Sequence, residues 1–124
     1  MNCLTVNVCG FGEEVNRNVI RCLQSSLHLN FICIQETQLL DFTIINVKDC
    51  WNGSNFDSNG VNASDRSGWM ISIWNREMFV KSEVLKNKHY LIVIGKWKGI
   101  DDNMIFVTYT VPILLPRRTL FGWN

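Results

Sequence analysis

The stretch "FICIQET", Phe31 to Thr37, constrains this chain more than any other. Phe31 to Ile34 are four consecutive apolar residues, the signature of a strand buried on both faces. Gln35, Glu36 and Thr37 then stand where that strand should surface. A solvated strand end is the simplest account of Glu36. A carboxylate held rigidly at a strand end is also a good metal ligand, and both readings stay open at the level of spacing.

The flanking patterns define the plan around this strand. Leu4, Val6 and Val8 alternate with Thr5 and Asn7, the period of a strand with one buried face. "GFG" breaks it, and Val15, Val19, Ile20, Leu23 and Leu27 then recur at helical spacing, with Glu13 and Glu14 at the positive end of the helix dipole. The opening therefore reads strand, helix, strand. Residues 52–68, rich in Asn, Gly and Ser, read as turns and a long surface loop. Short apolar runs follow at Trp69–Trp74, Phe79–Leu85, Leu91–Trp97 and Met104–Thr110, separated by "NRE", "KNKH" and "KGIDDN". With no helical period among them, they predict an antiparallel meander and an α+β fold. Pro112 and Pro116 end the meander, and "RRTLFGWN" starts a helix without room to finish.

At 124 residues the chain is one domain, long enough to bury a core. Its formal charge of +1 gives no global footprint for nucleic acid, although a local basic groove is compatible with neutrality. No signal peptide or membrane-spanning run is visible, so an intracellular location, nuclear or cytoplasmic, is expected. Cys3, Cys9, Cys22, Cys33 and Cys50 form no C-x-x-C pair and read as reduced, buried small residues. Four of the five tryptophans lie in or beside apolar runs and read as core rather than base-stacking platforms. His28 and His89 read as surface residues, and the Lys and Arg side chains as mostly solvated.

Two functional readings fit the opening. Gly10, Gly12 and Glu36 resemble a dinucleotide fingerprint, but Val15 stands where a third glycine belongs and Glu13 and Glu14 would repel pyrophosphate. The other reading starts from Asn7 and Glu36 at neighbouring strand ends, a carboxamide and a carboxylate suited to a hard divalent cation and a phosphate oxygen.

"LTVNVCGFG", "FICIQET", "RSGWMISIWN" and "FVTYTVP", in this order and spacing, resemble the N-terminal half of the endonuclease/exonuclease/phosphatase (DNase I-like) family. The resemblance is greatest to the endonuclease domain of plant LINE-type (non-LTR) retrotransposon polyproteins, and "IQET" after a buried strand is its most specific element. It implies a partial DNase I-like sandwich, with residues 1–124 as the N-terminal part of one domain truncated at its C-terminus. It also implies Mg²⁺, or Mn²⁺ in its place, as cofactor and DNA as partner. By the same resemblance Glu36 ligates the metal, Asn7 sits beside metal and scissile phosphate, and Gln35 and Thr37 orient the ligand. Arg66, Ser67 and Gly68 match a turn into the next core strand.

Departures from the family pattern are equally specific. Trp69 replaces a glycine. With the prolines aligned, the family's site tyrosine falls on Thr110, while the third candidate, Tyr109, is one residue away and points to the opposite face. The G-D-x-N motif, a later Asp and the catalytic His have no counterpart in these residues. The resemblance thus implies an inactive endonuclease fragment, with a non-catalytic interaction remnant as the alternative to a nuclease. A chain supplying little more than one of two sheets would also expose an apolar sheet face and self-associate through it.

Overall fold

The computed structural model describes residues 1–7, 14–35, 47–61 and 70–109. The expected opening is present: β1 (Cys3–Asn7), α1 (Glu14–Ser26) and β2 (Phe31–Gln35), with β1 and β2 paired in parallel from Cys3↔Phe31 to Asn7↔Gln35. Parallel neighbours require a crossover, which α1 supplies. Its apolar stripe is narrower than the periodicity suggests. Ile20 is buried and Leu23 packs against the core, but Val19, one residue off that stripe, is 53% exposed. Leu27 lies beyond the helix end and is also exposed. The helix stops because His28 adopts a left-handed φ of 51°, and the Leu29 amide returns to the Gln24 carbonyl at 3.0 Å. That is a C-terminal cap with histidine where glycine is usual. Asn2 Nδ2 adds bonds to the Leu27 and His28 carbonyls, each 3.2 Å.

The next elements are β3 (Phe56–Val61) and β4 (Met70–Asn75), followed by β5 (Phe79–Lys86), β6 (Tyr90–Trp97) and β7 (Asn103–Tyr109). They correct three expectations. First, residues 52–68 contain a strand: β3, "FDSNGV", pairs antiparallel with β4 along its whole length. Pairing to an already ordered strand overrides turn propensity here, and Phe56 anchors the strand at 6% exposure. Second, β4 is not part of the meander. It pairs antiparallel with β2, giving one sheet of order β1-β2-β4-β3, while β5-β6-β7 forms a separate antiparallel sheet. Apart from β1 and β2, no described strands run parallel as neighbours, so these residues build no doubly wound sheet. Third, the chain contributes substantially to two sheets, and it packs them face to face.

The β1-β2-β4-β3 sheet is covered on both sides, which is why β2 and β4 are apolar almost throughout. On one side Ile32, Ile34, Ile71 and Ile73 meet Ile20, Leu29, Val47 and Trp51. On the other, Phe31, Cys33, Met70 and Trp74 meet Phe79, Leu91, Val93 and Trp97 of the second sheet. Phe31 is fully buried at the centre of this layer. Its ring stacks on Phe106 at 3.8 Å and Trp74 at 5.4 Å, and Phe79 meets it edge-on at 5.4 Å. Trp51, Trp74 and Trp97 are thus core residues, as expected; Trp69 and Trp123 lie outside the described residues. Gly95 is required by close approach, since a Cβ there would stand 2.2 Å from the Val80 carbonyl oxygen.

The cysteines divide. Cys33 and Cys50 are buried, but Cys3 and Cys22 are exposed, contrary to expectation; Cys9 lies outside the described residues. Lys86 is not simply solvated either. Its Nζ donates to Asn59 Oδ1 and the Gly60 carbonyl, both at 2.9 Å, tying β5 to β3.

Candidate active site

The candidate site lies at the C-terminal ends of β1 and β2. Because these strands are parallel and paired in register, Asn7 lies directly beside Gln35 on the same face of the sheet. That face also carries Phe31 and Cys33, which the second sheet covers. Cys3, Thr5 and Asn7, by contrast, are exposed. Asn7 therefore offers its carboxamide to solvent from an ordered strand end. Glu36, the next residue after the paired end of β2, lies outside the described residues, as do Thr37, Arg66, Ser67, Gly68, Thr110 and the glycines Gly10 and Gly12.

Gln35 has a role that its neighbourhood in sequence does not announce. Its Nε2 donates to the backbone carbonyl of Tyr109 at 2.8 Å, across 74 positions. This bond brings the end of β7 to the end of β2. Tyr109 thus reaches the candidate site through its backbone. Its residue surface is 62% exposed, on the outward face that β7 shares with Ile105 and Val107. Thr108, one position earlier, points between the sheets and is 2% exposed. Strand alternation separates Thr108 from Tyr109, and Thr110, the position the proline alignment indicates, lies outside the described residues.

Just behind the strand ends, Cys33 is buried between two hydroxyl groups. Burial pushes its thiol pKa up, while the neighbouring Thr108 and Ser72 hydroxyls act in the opposite direction. The Ser72 Oγ to Cys33 Sγ distance is 3.9 Å. A thiol held in this way is protonated at neutral pH and serves as packing rather than as a nucleophile.

Among the described residues no three His, Cys, Asp or Glu side chains gather as a metal cluster. The donor Asn7 supplies is a neutral oxygen, compatible with a hard cation that takes few protein ligands. His28 caps α1, and His89 lies in the β5–β6 turn, its amide bonded to Asn87 Oδ1 at 2.8 Å. Neither is placed by these contacts at the strand ends. A cleft of about 720 Å³ is lined by residues including Arg21, Lys48, Asp49 and Trp51, and its described lining includes neither Asn7 nor Tyr109. Beside it, Arg17 Nε and Asp49 Oδ2 form an ion pair at 3.2 Å.

No family model matches the chain, and no curated protein matches it. Among solved structures it is similar to the crystal structure of AP endonuclease LMAP from Leishmania major, with a TM-score of 0.64 and 15% sequence identity. The match covers 87% of this chain and 39% of that one, so the chain spans about two fifths of its length. Identity this low carries the fold alone. With two packed sheets, a parallel β1–β2 pair and α1 as its crossover, the described elements form a partial DNase I-like α+β fold.

Proposed function

We propose that this chain is the opening part of a Mg²⁺-dependent phosphodiester-cleaving endonuclease domain of LINE-type retrotransposon origin, acting on DNA. The observation that carries the reading is the register Asn7↔Gln35, which sets the two strand ends side by side with Glu36 as the following residue. A carboxylate and a carboxamide at that junction are the oxygen donors a Mg²⁺ ion accepts. Glu36 and Asn7 would hold the ion, with Mn²⁺ as a substitute. Bound there, it would polarise a phosphoryl oxygen and stabilise the leaving oxygen of a phosphodiester.

The chain's own residues divide the remaining work. Gln35 is committed to the Tyr109 carbonyl, so it fixes the end of β2 rather than meeting substrate. Asn7, exposed and neutral, can accept the cation or donate to a phosphate oxygen. Among the described residues no histidine or second carboxylate is placed to activate water. Loss of a general acid–base group typically costs about 10²–10⁴ in rate. The polypeptide as it stands is therefore a weak metal binder without useful turnover.

The test is a Mg²⁺ titration of isotope-labelled protein alongside plasmid nicking. Mg²⁺ should shift the Asn7 and Gln35 resonances, EDTA should reverse the shifts, and Glu36→Ala should abolish them. Nicking should stay at the EDTA background. Shifts that survive Glu36→Ala, or a response to a dinucleotide in place of Mg²⁺, would overturn the reading.

A further inference from the structure

We infer that the β5–β6 turn, with Lys86 and Lys88, is a contact for the phosphate backbone of a DNA duplex lying across the candidate site. The inference rests on the nuclease reading of the strand ends and names the surface that holds the polymer there.

Strand register places this turn at the same end of the sandwich as the candidate site. Residues 87–89 join the end of β5 to Tyr90, the first residue of β6. Tyr90 pairs with Tyr109, whose carbonyl accepts from Gln35, and Gln35 pairs with Asn7. These residues and the turn follow one rim of the molecule. Farther along it, Lys86 Nζ crosses between the sheets to Asn59 Oδ1 and the Gly60 carbonyl on β3, both at 2.9 Å. β3 stands two strands from β2, about 10 Å at the usual strand spacing. A DNA duplex carries one negative charge per about 1.7 Å of its axis, so a duplex at the strand ends brings several phosphates within that span.

The turn supplies positive charge that its own contacts leave intact. Both partners of Lys86 are neutral oxygens, so the ammonium keeps its charge and a third N–H to donate. Lys88 is exposed and, among the described residues, makes no hydrogen bond or ion pair. The segment from Lys86 to His89 contains no carboxylate. Its backbone is also fixed in place. Asn87 Oδ1 accepts from the His89 and Tyr90 amides at 2.8 and 3.0 Å, and the Asn87 amide donates to the Tyr90 carbonyl at 3.0 Å. A turn already ordered loses less freedom on binding than a mobile one.

The opposite end of the same sheet supplies an internal control. Lys96 and Lys98 lie at the end of β6, and the turn that follows them holds Asp101 and Asp102. Ammonium groups there are offset by carboxylates on the same turn, whereas those of the site-end turn are not. The total charge of +1 conceals this asymmetry. Lysine meets a phosphate as a point charge, so the contact would hold the duplex without reading its bases.

Fluorescence anisotropy of a labelled DNA duplex, titrated with the chain at several salt concentrations in EDTA, tests this. EDTA removes divalent cations, which makes the readout independent of the metal site at Asn7 and Glu36. Binding is expected at low salt. Lys88→Ala should weaken it by about threefold or more and lower the slope of log affinity against log salt by about one. Lys88→Arg should preserve both, and Lys98→Ala at the opposite end should change neither. Circular dichroism confirms that the variants fold. If Lys88→Ala binds as the parent chain does, the turn is no contact, whatever the Mg²⁺ titration shows. Equal losses from Lys88→Ala and Lys98→Ala would also overturn the proposal, because diffuse attraction would then explain binding. Absence of binding by the parent chain would overturn it together with the choice of DNA as substrate, while a Mg²⁺ response at Gln35 would still stand.

Discussion

Gln35 and Tyr109 are bonded side chain to backbone at 2.8 Å, although 74 positions separate them. This bond holds the end of the second sheet against the strand end that precedes Glu36. Replacing Gln35 by alanine should lower the unfolding free energy by about 0.5–1.5 kcal/mol, the usual net worth of a hydrogen bond. Urea denaturation measures it, and an unchanged midpoint would show that the bond contributes nothing in solution.

Phe31 should be far less tolerant. It is fully buried and in contact with three aromatic rings from both sheets. Phe31→Ala should cost about 3–5 kcal/mol, by lost transfer energy and an unfilled cavity. That is a large share of the stability of a domain this size, about 5–15 kcal/mol. Thermal denaturation should show a large fall in midpoint, with Phe31→Leu in between.

Gly95→Ala tests the opposite failure, overpacking. The added methyl would meet the Val80 carbonyl oxygen at 2.2 Å and the Phe79 ring at 2.7 Å. Backbone cannot yield as a flexible side chain does, so the β5–β6 pairing must shift. A loss of about 1–3 kcal/mol is expected from chemical denaturation.

Cysteine chemistry gives a pH-dependent prediction. Burial pushes the Cys50 thiol from 9.0 up to about 12. Between those values the unfolded chain has lost the proton and the folded chain keeps it, so stability falls as pH rises from about 9 toward 12. Below pH 9 the contribution is fully present. In the native protein at pH 8, a thiol reagent should modify exposed Cys22 readily and Cys50 only on unfolding. Rapid native labelling of Cys50, read by peptide mass spectrometry, would refute its burial.

Asn7→Ala separates binding from folding. The residue is exposed, so its removal should change stability by no more than about 0.5 kcal/mol. It should nonetheless diminish the Mg²⁺-induced shift at Gln35. A normal Mg²⁺ response in a well-folded variant would remove Asn7 from the proposed site.

Much of this architecture is written locally. The alternation of Leu4, Val6 and Val8, the helical recurrence through Ile20 and Leu23, and the apolar run Phe31–Ile34 each report the period of one element against its own core. The apolar runs and turn residues of β5, β6 and β7 do the same, which is why those strands match to within a residue or so at each end. Which sheet a strand joins is a different kind of information. Met70–Trp74 reads alike whether it pairs with β2 or with β5, and only the packing of Ile71 and Ile73 against the helix layer, with Met70 and Trp74 against the second sheet, decides it. "FDSNGV" has the residues of a turn and becomes a strand because β4 offers it a ladder. Their places at the ends of buried strands singled out Asn7 and Glu36 as a pair, and the register Asn7↔Gln35 sets the strand ends together. The partnership of Gln35 with Tyr109 depended on tertiary structure alone, because a single hydrogen bond between distant residues leaves no periodicity for a sequence to display.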